Sequence, residues 1–379
     1  MRNLLLLAGL AAVSTLAQAQ TEKGQGIWTG NLSVEYSSQK NDITPNTYRS
    51  HSIQSGLALN RGAFFKDNWL IGVGVSAGLN ANRSSRAYLN QREKDKTTEL
   101  STGLNGYIRR YWGRDRWRVF LGGGLTLNYN TINHEGENVQ SPDGNSFTAS
   151  PIFQVGANYY LTDRIGLEAS TNTGSYPFSL SGVGVGLVIL TGVNSSSSAE
   201  SYEAPQTAKG RWIVGGGFSF ITTGGRDNQP GAQEERSNTF TISPSIGWFV
   251  QKNLLLGVSV PLGLSSSDDG SAFVYGINPY VKKYISDNRL RPYVSGDLLY
   301  AATRNKSSVN DTKTTNHQAG VAVGAGLAYL LGERFIVEAT LGSVYFNKQF
   351  YPENSDYKSW NGGLSATLQP GFTINYVFD

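Results

Sequence analysis

The chain has 379 residues, among them 45 Gly, 20 Tyr and 16 Phe, with no Cys and a single Met at its start. This composition argues against a helix-rich globular protein, which carries more Leu, Ala and Met. The lack of Cys excludes a disulfide framework, a thiolate metal site and lipid attachment at Cys. A net charge of +4 is small and the basic residues are scattered, so it points to no nucleic-acid partner.

In chain order, the first segment is an export signal. Arg2 gives a positive start, Leu4 to Leu16 is almost wholly apolar, and Ala17-Gln18-Ala19 fits a small-x-small cleavage site. Residues 1–19 therefore read as a cleavable signal peptide. No later stretch reaches the roughly 18 apolar residues that a spanning helix needs.

From Trp28 onward the period is two. Trp28, Leu32, Val34 and Tyr36 share one face, and Thr29, Asn31, Ser33 and Glu35 the other. Trp69, Ile71, Val73, Val75, Ala77 and Leu79 oppose Leu70, Gly72, Gly74, Ser76 and Gly78. At the C-terminus, Leu364, Ala366, Leu368, Phe372, Ile374, Tyr376 and Phe378 oppose Ser365, Thr367, Gln369, Gly371, Thr373 and Asn375. Such alternation is strand geometry with one apolar face. Strands of about ten residues or more are long enough to cross a bilayer at a tilt. Aromatics at strand ends form the expected interfacial girdle: Trp28, Trp69, Trp117, Trp212, Tyr376 and Phe378. Lys66-Asp67-Asn68, residues 113–116 and Thr162-Asp163-Arg164 are tight turns, whereas the connections around 38–51, 81–98 and 131–146 read as long polar loops. Short turns on one rim and long loops on the other distinguish a membrane barrel from a soluble sandwich.

The chain also repeats itself. Gly26–Tyr36 matches Gly210–Phe220, with Trp28 over Trp212. The stretch from Asn60 matches that from Ser245, L-N-G-Y-I-R-R-Y from Leu104 matches I-N-P-Y-V-K-K-Y from Ile277, and Glu168 falls over Glu338. Two eight-stranded repeats, 24–191 and 210–379, are predicted. Between them, the polar, Ser-rich residues 192–209 read as a flexible periplasmic linker.

In I-S-P-S-I-G-W-F-V from Ile242, I-N-P-Y-V-K-K-Y from Ile277 and G-L-A-Y-L-L-G-E-R-F-I-V-E-A from Gly326, the sequence resembles the small eight-stranded outer-membrane β-barrel family of Gram-negative bacteria. The resemblance implies an outer-membrane location and supplies no shared catalytic residue. The expected fold is thus all-β: a transmembrane, antiparallel, up-and-down barrel of sixteen strands. Two barrels are favoured, with a single sixteen-stranded barrel as the alternative. The ending from Gln369 through Gly371 to Tyr376 and Phe378 is of the type read by the barrel assembly machinery, which with outer-membrane lipid is the expected partner.

With the apolar face toward lipid, the inward charges are Glu35, Arg109, Arg118 and Glu168 in the first repeat, and Lys282, Arg291, Asp297 and Glu338 in the second. Each set is balanced. The interior of an eight-stranded barrel is filled by side chains, and ions there must be paired. Glu168 with Arg109, and Glu338 with Lys282, are the matching candidates. No enzyme is expected, because His51, His134 and His317 have no nominated partner for acid–base work. Asp268-Asp269 and Glu234-Glu235 read as solvated loops, so neither metal nor cofactor is expected. Two functions stay open: a structural or surface-interaction role through long outer loops whose ligand the sequence does not name, and a porin-like passive channel.

Overall fold

The computed structural model describes residues 21–43, 46–88, 91–136, 143–173, 183–192, 204–226, 234–268, 270–308, 312–352, 357–368 and 372–378. The predicted signal peptide, most of the linker, and Gln369 and Gly371 lie outside them. The described chain is strand almost throughout, in one antiparallel sheet system.

The first repeat contributes β1 (Gly26–Ile43), β2 (Asn46–Lys66), β3 (Trp69–Tyr88), β4 (Gln91–Trp112), β5 (Trp117–Gly136), β6 (Gly144–Tyr160), β7 (Ile165–Thr173) and β8 (Val183–Thr191). Each pairs with its sequence neighbour, and β1 returns to β8 through Gly26–Thr191, Ile27–Leu190 and Trp28–Ile189, closing an eight-stranded barrel. The outward residues are apolar and bare: Val73 is 64% exposed, Leu121 59% and Leu104 58%. So much contiguous apolar surface is tolerable only against lipid.

The stretches expected to be long loops are mostly strand. The ladder of β1 and β2 runs to Ile43–Asn46, that of β3 and β4 to Tyr88–Gln91, and that of β5 reaches Gly136. A bilayer needs only about ten residues of each strand, so these hairpins of 17–22-residue strands project well beyond it. Their outer portions carry polar residues on both faces, a pattern that hides a solvated strand as a loop.

The second repeat holds β9 (Trp212–Arg226), β10 (Glu234–Gln251), β11 (Leu254–Ser259), β12 (Leu262–Ser267), β13 (Gly270–Tyr284), β14 (Leu290–Ser307), β15 (Lys313–Leu331), β16 (Phe335–Phe350), β17 (Tyr357–Thr367) and β18 (Phe372–Phe378). The sixteen expected strands become eighteen because two are broken. β11 and β12 form one crossing interrupted at Val260-Pro261, where proline has no N–H for the ladder. The last strand divides into β17 and β18 around residues 369–371, a stretch that carries Pro370. At the short-turn end β18 pairs with β9 from Ile374–Gly216 to Phe378–Trp212, bringing the two ends of this repeat together as well.

Both closures expected of two barrels are present at the short-turn end. Above them, however, β1 changes partner. From Asn31–Thr367 to Asn41–Tyr357 it pairs with β17 over eleven residues, the neighbour expected in a single large barrel. Leu368 sits at the fork: the Leu187 N–H donates to its carbonyl at 2.6 Å, and its own N–H donates to the Gly30 carbonyl at 2.8 Å. The two repeats are therefore closed separately at one end and share the outer part of β1 at the other.

Two details of the duplication also change. Ile27 faces Gly62 as Ile213 faces Gly247, so Trp28 corresponds to Val214 and not to Trp212. The expected match is off by two residues, a slip that keeps every side chain on its face. Nor is the end of the linker flexible chain. Pro205–Thr207 forms a 3-10 helix with Gln206 and Thr207 buried. Thr207 hydrogen-bonds Asn253 just as Thr21 hydrogen-bonds Asn68, and both asparagines occupy tight turns at positive φ. Thr207-Ala208-Lys209-Gly210 thus docks on its barrel as Thr21-Glu22-Lys23-Gly24 does on the first.

Candidate functional site: the barrel interiors

At the short-turn end each interior is filled by large side chains. In the first repeat Ile27, Phe64, Leu70, Tyr111, Phe120, Tyr160 and Leu190 are all at most 2% exposed. The second repeat places Ile213, Phe249, Leu255, Tyr284, Tyr293, Leu330 and Val377 at the same ladder positions. Volume is conserved across the duplication by exchange. Tyr160 packs over Gly166, where an added Cβ would stand 2.8 Å from its ring, whereas the second repeat has Leu330 beside Ile336. The sequence signal for this plug was an apolar or aromatic residue in the inward phase near the short turns, repeated in both copies.

Above the plug sits an ion pair in each repeat. Arg109 Nη1 lies 3.1 Å from Glu168 Oε2, with both side chains about nine-tenths buried. Arg109 Nε donates to Gln154 Oε1 at 2.8 Å, and its guanidinium lies 4.3 Å from the Phe120 ring centroid and 5.0 Å from that of Tyr107. Asn158 Nδ2 donates to Glu168 at 3.2 Å. In the second repeat Lys282 Nζ lies 2.6 Å from Glu338 Oε2, and Glu338 also accepts from Tyr284 and from Asn375 Nδ2 at 3.1 Å. The supporting asparagine has changed strand. Copy one has Asn158 on β6 and Val188 on β8, whereas copy two has Ala328 and Asn375. A buried carboxylate needs several donors, and each repeat supplies them from a different wall.

Inward glycines seat the tyrosines around these pairs. A Cβ on Gly72 would stand 2.2 Å from Tyr107 Cζ, and one on Gly257 2.4 Å from Tyr280 Cζ. Only glycine lets the rings lie against the wall.

The other inward charges are held in other ways. Arg118 is buried and donates to the Asp115 and Trp117 carbonyls at 3.0 and 2.8 Å. Arg291, 0% exposed, donates to the Asn288 carbonyl, Thr207 Oγ1 and Asn253 Oδ1. It thereby ties the docked linker into the barrel mouth. Asp287, in the adjoining turn, is held below the usual carboxylate range by hydrogen bonds from Asn253 and Lys252. Asp297 is half-buried, accepts from Ser295 Oγ at 3.1 Å and shares with Lys282, Glu338, Tyr280 and Tyr293 a cavity of about 450 Å³ above the second plug. Glu35 lies in the shared part of β1, near Tyr345 of the other repeat. Of the expected inward charges, Arg109 with Glu168 and Lys282 with Glu338 are the direct pairs seen among the described residues.

The aromatics lie outside, at the short-turn rim. Trp28, Trp117, Trp212 and Phe378 are exposed, Trp69 and Tyr376 half-exposed. Arg61 stacks 5.3 Å from Trp28 and Arg110 5.0 Å from Trp69. Tyr376 packs edge-on against Phe335 and Phe378. All three histidines lie on strands, His134 included. His51 and His317 each bond a tyrosine hydroxyl, of Tyr36 and Tyr300, at 2.9 Å, and His134 bonds Thr97 at 3.2 Å.

Among solved structures, the chain is similar to the N-terminal β-barrel domain of OprF from Pseudomonas aeruginosa at 17% identity, covering 45% of this chain and 98% of that one with a TM-score of 0.25. It is similar to OprB from Pseudomonas putida at 12% identity, covering 93% and 92%, with a TM-score of 0.36. A mutant of the monoaromatic hydrocarbon channel TodX matches at 9% identity, covering 94% and 90%, with a TM-score of 0.33. No curated protein matches the sequence. The model of the outer membrane protein beta-barrel domain matches twice, over residues 5–189 and 185–368, one match for each repeat. The chain belongs to the outer-membrane β-barrel family, with its domain present in tandem.

Proposed function

We propose that this chain is a non-enzymatic, non-conducting outer-membrane protein that presents long extracellular hairpins as a structural or surface-interaction device. The plug carries this reading. Seven large, fully buried side chains close each interior at the short-turn end, where a solute path would have to pass. Residues 1–19 are removed on export, and 24–191 and 210–379 are the two structural units. The short turns face the periplasm, the partners are outer-membrane lipid and the assembly machinery, and what the hairpins bind is left to experiment. The porin-like alternative draws on the cavity beside Lys282, Glu338 and Asp297, which lies above the plug.

Planar-bilayer recordings of the purified full-length protein separate the two. Silence at protein concentrations where a porin gives regular steps is the expected result. Discrete steps whose ion selectivity changes in Lys282→Gln would establish the pore instead. Location has its own test. The protein should fractionate with outer membrane and migrate faster unheated than boiled on gels, and its recovery as a soluble periplasmic species would refute the assignment.

A further inference from the structure

The two interiors diverge just above their plugs, and the ladder shows how. In the first repeat one rung runs Arg109–Gly122–Gln154, and the next inward rung runs Tyr107–Gly124–Ile152. Their counterparts in the second are Lys282–Ser295–Gly324 and Tyr280–Asp297–Ala322. Gln154 and Ile152 thus become Gly324 and Ala322, a loss of bulk at two successive inward positions of β15. Both small residues line the cavity of about 450 Å³. A carboxylate, Asp297, stands beside them where the first repeat has Gly124.

The cavity is also unbalanced in charge. Among the described residues lining it, two carboxylates, Asp297 and Glu338, accompany one cation, Lys282. Lys282 Nζ lies 2.6 Å from Glu338, whereas Asp297 accepts from the neutral Ser295 Oγ at 3.1 Å. A confined carboxylate is costly without a cation. The rung of Asp297 continues through Ala322, Tyr345 and Gly363 to Glu35, which the shared part of β1 adds to this wall. One inward step toward the hairpins, Asn347 and Asn361 oppose each other, and the Oδ1 of each is buried with no hydrogen-bond partner among the described residues. Asn347 is 6% exposed, and its Oδ1 lies over Gly320 on the inward face. The hydroxyls of Ser243, Ser245 and Ser259 supply further acceptors.

These groups together suit a positively charged ligand that donates hydrogen bonds. An ammonium offers three donors and no acceptor. One metal ion cannot serve both unpaired carboxylates. Glu35 and Asp297 stand four strand spacings apart along the wall, each spacing being about 4.8 Å, against about 2.5 Å for a calcium–oxygen bond. The occupant must be elongated and carry more than one charge. We infer that the vestibule above the second plug is a binding site for a linear polyamine, with one ammonium on Asp297 and another toward Glu35 and the asparagine carbonyls. Binding needs the vestibule and no path through the plug, so this inference and the non-conducting reading fail separately.

The full-length protein in neutral detergent at low ionic strength is titrated with spermidine, and binding is read by calorimetry. Asp297→Asn should weaken binding about tenfold or more. Gly324→Gln, which restores the side chain of the first repeat, should fill the cavity and weaken binding as much. A Cβ at 324 meets Ser295 Oγ at 2.9 Å and its next neighbours at 3.7 Å, so the wall tolerates it. Glu135→Gln removes an exposed hairpin carboxylate of the first repeat and should bind like wild type. Fully acetylated spermidine should not bind, and millimolar calcium should not displace spermidine. Equal binding by wild type and Asp297→Asn would overturn the site. Equal losses in Asp297→Asn and Glu135→Gln would reduce it to general charge attraction, and full displacement by calcium would make it a metal site instead.

Discussion

Glu338→Ala should lower the unfolding free energy of the protein in lipid vesicles by about 3–5 kcal/mol, the cost of leaving a buried charge without its partner. Glu338 is 2% exposed and accepts from Lys282, Tyr284 and Asn375. Alanine strands one cation and two neutral donors in the space between plug and cavity. Glu168→Ala should cost less, because Arg109 keeps Gln154 and the faces of Phe120 and Tyr107. Removing both charges together tests whether the loss comes from burial. Lys282→Met with Glu338→Leu should recover the part of the loss that comes from the stranded cation, while Tyr284 and Asn375 still lack their acceptor. Urea titrations followed by tryptophan fluorescence report all of these. If both glutamate variants melt with wild type, the interior is wet at the ion pair and the closed-barrel reading loses its basis.

The sequence made the faces of this barrel legible and left its neighbours ambiguous. Period-two alternation tells which side of the wall Arg109, Glu168, Lys282 and Glu338 occupy, and the duplication places them at matching heights. It does not tell which strand lies next to β1. β8 and β17 both offer apolar residues on the outward face, so closure is decided by three-dimensional fit. The two-residue slip at Trp28 has the same origin: two tryptophans invite superposition, and a shift by two leaves every face unchanged. Hairpin length was hidden for a different reason. Beyond the bilayer both faces of a strand meet water, so the residues around Arg83 and Lys96 lose their alternation without losing their ladder. The plug was missed because large apolar residues were assigned to lipid. Phe64, Phe120, Phe249 and Tyr293 point inward, where the interior narrows to side-chain width.

Cysteine pairs should show β1 serving both repeats in one molecule. The chain has no Cys, so each introduced pair has only one disulfide to form. Directly opposed residues of an antiparallel ladder have Cα atoms about 4.5–5.5 Å apart, inside the range a disulfide spans. Trp28→Cys with Ile189→Cys tests closure of the first repeat, Trp212→Cys with Phe378→Cys tests the second, and Val34→Cys with Leu364→Cys tests the shared segment. All three should oxidise in assembled protein. A protease site inserted within Ser195–Ser198 then distinguishes them on denaturing gels. After cleavage the first two pairs should release separate halves, and the third should hold the halves together. Carrying both the 28–189 and 34–364 pairs, one molecule should form both bonds. Two independent barrels forbid the 34–364 bond, and a single sixteen-stranded barrel forbids 28–189 and 212–378. The shared strand has a physical rationale that either simple architecture lacks. With β1 withdrawn, β17 would present eleven residues of open edge, a template for pairing with other chains. A change of partner at Leu368 covers that edge while the ends of both repeats remain closed around their plugs.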